Sequence, residues 1–240
     1  MRYIEFTGLP GAGKTTLVRE LLGKNKDYYS LEEAYEISIK TALNEQKISK
    51  SEIIDLKEKM VSKYKGKYPN SFQTFDKYIK EHTNDENRVS YISNWMKILS
   101  EKYITIETYN NLQEGLVLVD EGFLQRTFSI FTPPFPTKEV SEKQVKDYLG
   151  KIFIPDTLVL TDASPETCEQ RMLKRKEGYP GKYKSLNKKQ MLNRIDEMKK
   201  VSRIIKDTFE SQEVEVIEVN TEGKIESLIG IIDKRIKNKD

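Results

Sequence analysis

The chain has 240 residues, 41 Lys plus Arg against 38 Asp plus Glu, one cysteine and one histidine. That length supplies one sizeable core, and the even charge balance gives no ground for a nucleic acid or an anionic membrane as partner. Cys168 alone excludes an intramolecular disulfide and a cysteine-built metal cage, and His82 alone leaves Ser–His catalysis and histidine metal sites few candidates.

Residues 2–7 (RYIEFT) form a short buried strand in the sequence pattern, followed by the turn GLPGAG. KTTLVRELLG then spaces Leu17, Leu21 and Leu22 as a helix does, with Gly23 as a stop. Asp27–Leu31 is a candidate second strand that ends at the acidic pair Glu32 and Glu33. From about 32 to 112 the spacing is helical throughout, in the segments AYEISIKTAL, SEIIDLKEKMVSKY, SFQTFDKYIKEH and VSYISNWMKILSEKYITIETYNNL. An insertion of that size between two strands closes over a ligand or serves a contact with another chain, a second copy of this one included.

Leu116–Val119 (LVLV) is the most apolar short run and predicts a buried parallel strand. It ends at Asp120-Glu121-Gly122. A helical stretch follows, broken by TPPFPT at 132–137, and a further helix is expected over about 138–150. Asp156–Thr161 predicts a fourth strand. SPETCEQRMLKRK opens with a serine cap and a proline in the first turn, which predicts a helix. GYPGKYKSLN is expected as a loop, 188–210 as a basic amphipathic helix, Val214–Val219 as a fifth strand and 222–237 as a closing helix. No apolar run approaches the roughly 20 residues that span a bilayer. The opening MRYIEFTG, interrupted by Glu5, does not have the pattern of a signal peptide, so a cytoplasmic location without membrane contact is expected.

Strands alternating with helices predict a parallel sheet with right-handed crossovers, and ligands then bind beyond the carboxyl ends of the strands. GLPGAGKT, Glu32–Glu33, Asp120–Glu121 and Asp162 all fall at such ends. Gly8-Leu9-Pro10-Gly11-Ala12-Gly13-Lys14-Thr15 fits the phosphate-loop pattern G-x-x-x-x-G-K-[ST] completely. Glycines let successive N–H groups turn inward onto phosphate oxygens, and the following helix, through Thr16, aims its positive end at the same place. Lys14 supplies a mobile cation for the β- and γ-phosphates, and the Thr15 hydroxyl a magnesium ligand. Asp120, at the end of a neighbouring strand, is the expected carboxylate for the ion, in a position that also suits a helix cap. ATP with magnesium is the expected ligand.

GLPGAGKTTL, the acidic pair after strand three and PDTLVLTDASPETCEQRMLKR together resemble the P-loop nucleoside and nucleotide kinases, thymidylate kinase and the deoxynucleoside kinases among them. The order of elements matches over nearly the whole chain; the motifs are specific at the P-loop and at 155–175. The resemblance implies an α/β, three-layer P-loop NTPase fold over residues 1–240. It implies a five-stranded parallel sheet, a helical insertion at about 32–112 that holds the acceptor, and a lid at about 171–187. It also implies that Arg171 stacks on adenine and Arg175 reaches the phosphates, in a segment made more basic by Lys174, Lys176, Lys182 and Lys184. Mobile cations closing on the transferred phosphoryl group stabilise its charge and exclude water. In this sequence the two arginines also fit a solvated helix face, and Cys168 fits a packing position.

Where deoxynucleoside kinases carry Asp/Glu-Arg-Ser after strand three, this chain has Asp120-Glu121-Gly122, and Arg126 stands one helical turn on as the substitute cation. The general base for a hydroxyl acceptor is Glu121 or one of the pair Glu32 and Glu33. Arg88, Tyr91, Asn94 and Trp95 are the candidate acceptor contacts in the insertion; Arg88, Tyr91 and Trp95 share a helix face that also suits a core stripe. The reading is an ATP-dependent phosphotransferase acting on a small-molecule hydroxyl or phosphate, a nucleoside or nucleotide first. Sugars, antibiotic-like alcohols and a nucleic-acid end remain alternative acceptors. An ATPase switch or a non-catalytic nucleotide-binding module is the alternative class; the sequence has neither the N-K-x-D guanine motif nor the L-S-G-G-Q transporter signature.

Overall fold

The computed structural model describes residues 1–46, 52–109, 115–176 and 178–238. Residues 110–112, expected at the end of the long helix, lie outside the described residues, as do Ser51 and, in the lid, Glu177. Five strands form one parallel sheet: β1 (Arg2–Gly8), β2 (Tyr28–Ser30), β3 (Leu116–Val119), β4 (Thr157–Asp162) and β5 (Glu215–Asn220), in the order β2-β3-β1-β4-β5. The middle strands are buried on both faces: β3 is apolar at every position, and β1 is buried from Tyr3 to Gly8 although it carries Glu5 and Thr7. This is the predicted α/β P-loop fold.

Two helices cover one face, α1 (Lys14–Lys24) and α10 (Ile225–Lys237); Leu17, Val18, Leu21, Ile229, Ile232 and Ile236 pack there against Ile4, Phe6 and Val159. The insertion consists of α2 (Leu31–Gln46), α3 (Ile53–Lys67), α4 (Ser71–His82) and α5 (Glu86–Thr108). It shares one continuous apolar cluster with the other face of the sheet. The join is aromatic. Tyr103 of α5 lies 5.1 Å from Tyr3 of β1 and 4.5 Å from Phe153, and Tyr64 of α3 stacks 5.3 Å from Phe123. Close aromatic pairs of this kind add to the burial of their large apolar area.

After β3 come α6 (Phe123–Phe131) and α7 (Glu142–Leu149); after β4, α8 (Pro165–Leu173), a 3₁₀ turn at Gly181–Tyr183 and α9 (Lys188–Glu210). Ser164 caps α8 by accepting from Thr167 N with Pro165 in the first turn, and Asn187 and Gln190 form a capping box on α9.

Several boundaries depart from the sequence reading, the closing helix among them, which starts at Ile225 rather than at 222. The second strand is three residues rather than five, because Ser30 caps α2: Ser30 Oγ accepts from Glu33 N (3.2 Å) and Glu33 Oε2 accepts from Ser30 N (2.8 Å). The helix expected from 138 starts at Glu142, behind the proline-bearing stretch, with Ser141 extended before it. The helix expected to run through Lys176 ends at Leu173. The expected loop contains the 3₁₀ turn, which buries Tyr183. No helix among the described residues is long and apolar enough to cross a membrane.

Candidate functional site

The phosphate loop joins β1 to α1 at the carboxyl edge of the sheet. Gly11 has φ +85°, and a Cβ there would stand 2.4 Å from the Cys168 carbonyl oxygen, so both the backbone conformation and the close approach of α8 require glycine. Cys168 is buried and packs under the loop. Lys14 folds back over it, Nζ donating to the carbonyls of Gly8 (2.9 Å) and Leu9 (3.0 Å). Burial pushes its pKa down to about 8, against the pull of Asp120.

A cavity of about 220 Å³ opens over the loop, with Pro10, Gly11, Gly13, Lys14, Thr15 and Thr16 on one wall. Glu121, Gln125, Arg126, Ser129, Arg175 and Pro180 form the other. Beside it, Gly13, Thr16 and Leu17 of the loop and α1 border a shallower cavity of about 280 Å³ together with Arg171, Thr221, Gly223, Ile225 and Leu228. Arg171 is fixed there, Nη1 and Nη2 donating to Thr221 Oγ1 (2.9 Å) and Thr221 O (2.8 Å). Arg175, Lys174 and Lys176 are exposed.

A third and larger cavity, about 960 Å³, lies between the insertion and α6. Its walls carry Arg88, Tyr91 and Ile92 of α5, Glu121, Arg126 and Ser129, and Phe135, Pro180 and Ser185 from the segments that close over it. Four residues, Glu121, Arg126, Ser129 and Pro180, border this cavity and the one over the phosphate loop. Arg126 is 6% exposed. Its Nη2 donates to Glu121 Oε2, and its guanidinium carbon sits 5.2 Å from the centre of the Trp95 ring. Arg88 Nη2 donates to Ser129 O (2.5 Å).

Two solved structures share this arrangement of elements. One is deoxyadenosine kinase from M. mycoides with dATP bound, at a TM-score of 0.52 and 13% identity, over 99% of this chain and 100% of that one. The other is the same enzyme with products dCMP and a flexible dCDP bound, at 0.50 and 13%, over 98% and 99%. The chain has the deoxyadenosine kinase fold. Neither a family model nor a curated protein matches the sequence.

Within this fold the predicted site residues divide. Gly8 to Thr16, Arg175, Glu121 and Arg126 converge at the phosphate-loop cavity or form the loop itself, and Arg171 lines its neighbour. Asp120, Glu121, Glu32 and Trp95 border a separate cleft of about 240 Å³ between β3, α1 and the insertion. Glu32 is held there by Lys102, whose Nζ donates to both carboxylate oxygens. Glu33 is taken up in the α2 cap and lines none of these cavities. Arg88 and Tyr91 line the large cavity, and Trp95 touches Tyr91 edge-on at 6.4 Å. Asn94, one residue off that face, is exposed and borders none of them. Asp162, at the end of β4, is exposed with Lys199 Nζ at 3.7 Å, and His82 is buried on Phe131 with Nε2 against Gln144 Oε1 (3.1 Å).

Glu5 is the residue the sequence reading passed over. It is fully buried in β1, and Oε1 accepts from Leu124 N (2.7 Å) and Gln125 N (3.1 Å), capping α6 from another strand. A Cβ on Gly122 would stand 2.5 Å from the Glu5 carboxyl carbon, so the glycine of Asp120-Glu121-Gly122 makes room for that cap. Gln125 returns the contact: its Oε1 accepts from Thr7 Oγ1 (3.0 Å) and Gly8 N (3.3 Å). Burial raises the Glu5 pKa to about 8, opposed by those two amides and by Arg126. A charged residue inside an apolar strand run was the signal available for it.

Proposed function

We propose that the chain is an ATP-dependent phosphotransferase that moves the γ-phosphoryl group to a small molecule of the nucleoside or nucleotide class. The observation that carries this reading is the shared wall. The cavity over the phosphate loop and the larger cavity under the insertion meet at Glu121, Arg126, Ser129 and Pro180. A donor triphosphate in the first and an acceptor in the second bring their reacting ends together there, which is the positioning that phosphoryl transfer requires. The bound nucleotides of the deoxyadenosine kinase structures support the substrate class.

In this reading the loop amides and Lys14 hold the β- and γ-phosphates, and the base of the donor lies in the cavity beside Arg171. Arg175 and the exposed lysines around it close on the transferred group. Magnesium fits the donor set. The Thr15 hydroxyl and the Asp120 carboxylate are hard oxygen donors, and Asp120 enters no ion pair among the described residues. When bound, the ion neutralises charge between the β- and γ-phosphates. Of the three carboxylates considered as base, Glu121 alone borders both the loop cavity and the large one.

The test is ADP release with magnesium and ATP, alone and with a panel of nucleosides, nucleotides, sugars and sugar phosphates. Release that rises at least tenfold with one class of acceptor is the expected result. Fast release that no acceptor alters would make the protein an ATPase, and nucleotide binding without release would make it a sensor.

A further inference from the structure

The large cavity differs from a pocket built for a neutral alcohol in two respects. The first is that its carboxylates are already engaged. Asp85 Oδ1 accepts from Arg88 N (3.1 Å) as the cap of α5, and Glu121 is held by Arg126. The other two candidate bases are engaged as well, Glu32 by Lys102 and Glu33 by the α2 cap. A carboxylate whose oxygens are already held by other donors is not placed to take the proton of a hydroxyl nucleophile, which needs a base within hydrogen-bond reach. The second is the pair of guanidiniums. Arg88 enters no ion pair among the described residues, and its Nε is buried without a hydrogen-bond partner. Arg126 Nε is buried and unpartnered too, with Glu121 engaging only Nη2. A guanidinium does not lose its proton in a protein, so this positive charge persists at any working pH.

Resting on the phosphotransferase reading above, we infer that the acceptor is a phosphomonoester whose phosphate docks between Arg126 and Arg88. The accepting atom is a phosphate oxygen and the product is a diphosphate. Arg126 borders both cavities, so a phosphate on its open edge lies beside the γ-phosphoryl group. Arg88 reaches across from α5 to the α6 backbone at Ser129, three residues on from Arg126, so both guanidiniums border the same space. Planar guanidiniums match the oxygens of a phosphate, and a phosphomonoester is largely dianionic near neutral pH. The step balances without a proton transfer. An unprotonated phosphate oxygen forms the new bond to the γ-phosphorus, the bond to the β–γ bridging oxygen breaks, and ADP leaves with that electron pair. Glu121 then acts as a positioning residue that holds Arg126, not as a base. Tyr91 and Phe135, both exposed at the cavity wall, face the organic part of the acceptor.

The experiment compares matched pairs, each nucleoside with its 5′-monophosphate and each pentose with its phosphate, as stimulators of ADP release. It adds calorimetry of inorganic phosphate on protein loaded with magnesium and a non-hydrolysable ATP analogue. The phosphorylated member of a pair should exceed its parent at least tenfold. Arg88→Gln should raise the KM of that acceptor, and weaken inorganic phosphate, by at least tenfold at unchanged ATP affinity. Glu121→Gln should keep more than a tenth of kcat. Parents that stimulate as well as their phosphates, or a loss above a hundredfold in Glu121→Gln, would overturn the phosphate acceptor and leave the kinase standing. A panel without any stimulation, together with no phosphate binding to the analogue-loaded protein, would sink both.

Discussion

Glu5 carries a stability consequence whose sign follows from counting protons. The folded chain holds a proton on Glu5 up to about pH 8, because burial disfavours the anion, whereas the unfolded chain releases it near the ordinary value of 4.5. Between those limits the folded state binds more protons, so stability falls as pH rises from about 4.5 to about 8 and then levels off. The loss is on the order of a few kcal/mol. Glu5→Gln keeps an oxygen that can accept from Leu124 and Gln125 and removes the titration. Its melting temperature should gain on the parent between about pH 5 and pH 8 and hold that lead above it. Parallel curves in thermal denaturation across that range would contradict the assignment. The sequence exposed the phosphate loop and concealed Glu5 for the same reason. The loop's chemistry lies within Gly8–Thr15, while the Glu5 cap spans 119 positions to Leu124 and exists only once β1 and α6 pack. Glu33 was legible: Ser30-Leu31-Glu32-Glu33 has the spacing of a capping box, which competes with a role as base.

At the scale of elements, α6 lies between the cavity over the phosphate loop and the larger one, and Gln125 ties it to the start of the loop. Gln125→Leu leaves Gly8 N and Thr7 Oγ1 without their partner in a buried place. A loss of roughly 1–3 kcal/mol in urea denaturation is expected, the cost of unpaired buried polar groups. If α6 sets the reacting ends against each other, kcat falls by more than ATP affinity does; an equal loss in both would assign Gln125 to loop stability alone. The helices of the insertion were readable from their spacing. Arg88 and Tyr91 on one face and Asn94 off it followed from the helical period, but not which partner the face meets. That depended on α6 lying opposite, a tertiary fact absent from any local pattern.

For the whole molecule, the insertion and the sheet share one apolar cluster, joined through Tyr3, Tyr64, Tyr103, Phe123 and Phe153, so the large cavity has a firm wall on the insertion side. Pro180, Gly181 and Ser185 of the segment after α8 line it elsewhere, together with Pro134 and Phe135, and Lys174, Arg175 and Lys176 earlier in that segment are exposed. The lid expected at about 171–187 falls on that segment. Magnesium with a non-hydrolysable ATP analogue should slow tryptic cleavage after Arg175 and Lys176 at least tenfold and raise the melting temperature; unchanged cleavage at saturating analogue would place the moving part elsewhere. The order of elements and the parallel sheet were predictable because alternating buried strands and amphipathic helices have few ways to pack.

Glu5 and Gly122 bear on how such a chain can change over time. A side chain at 122 collides with the carboxyl group, and a smaller residue at 5 leaves the first amides of α6 without a cap. A side chain at 122 is therefore compatible only with a smaller residue at 5, and the loss of the oxygen at 5 only with another cap for α6, so the two positions constrain each other. The tripeptide that departs from the deoxynucleoside kinase pattern after β3 is thus half of a two-residue character whose other half lies in the first strand.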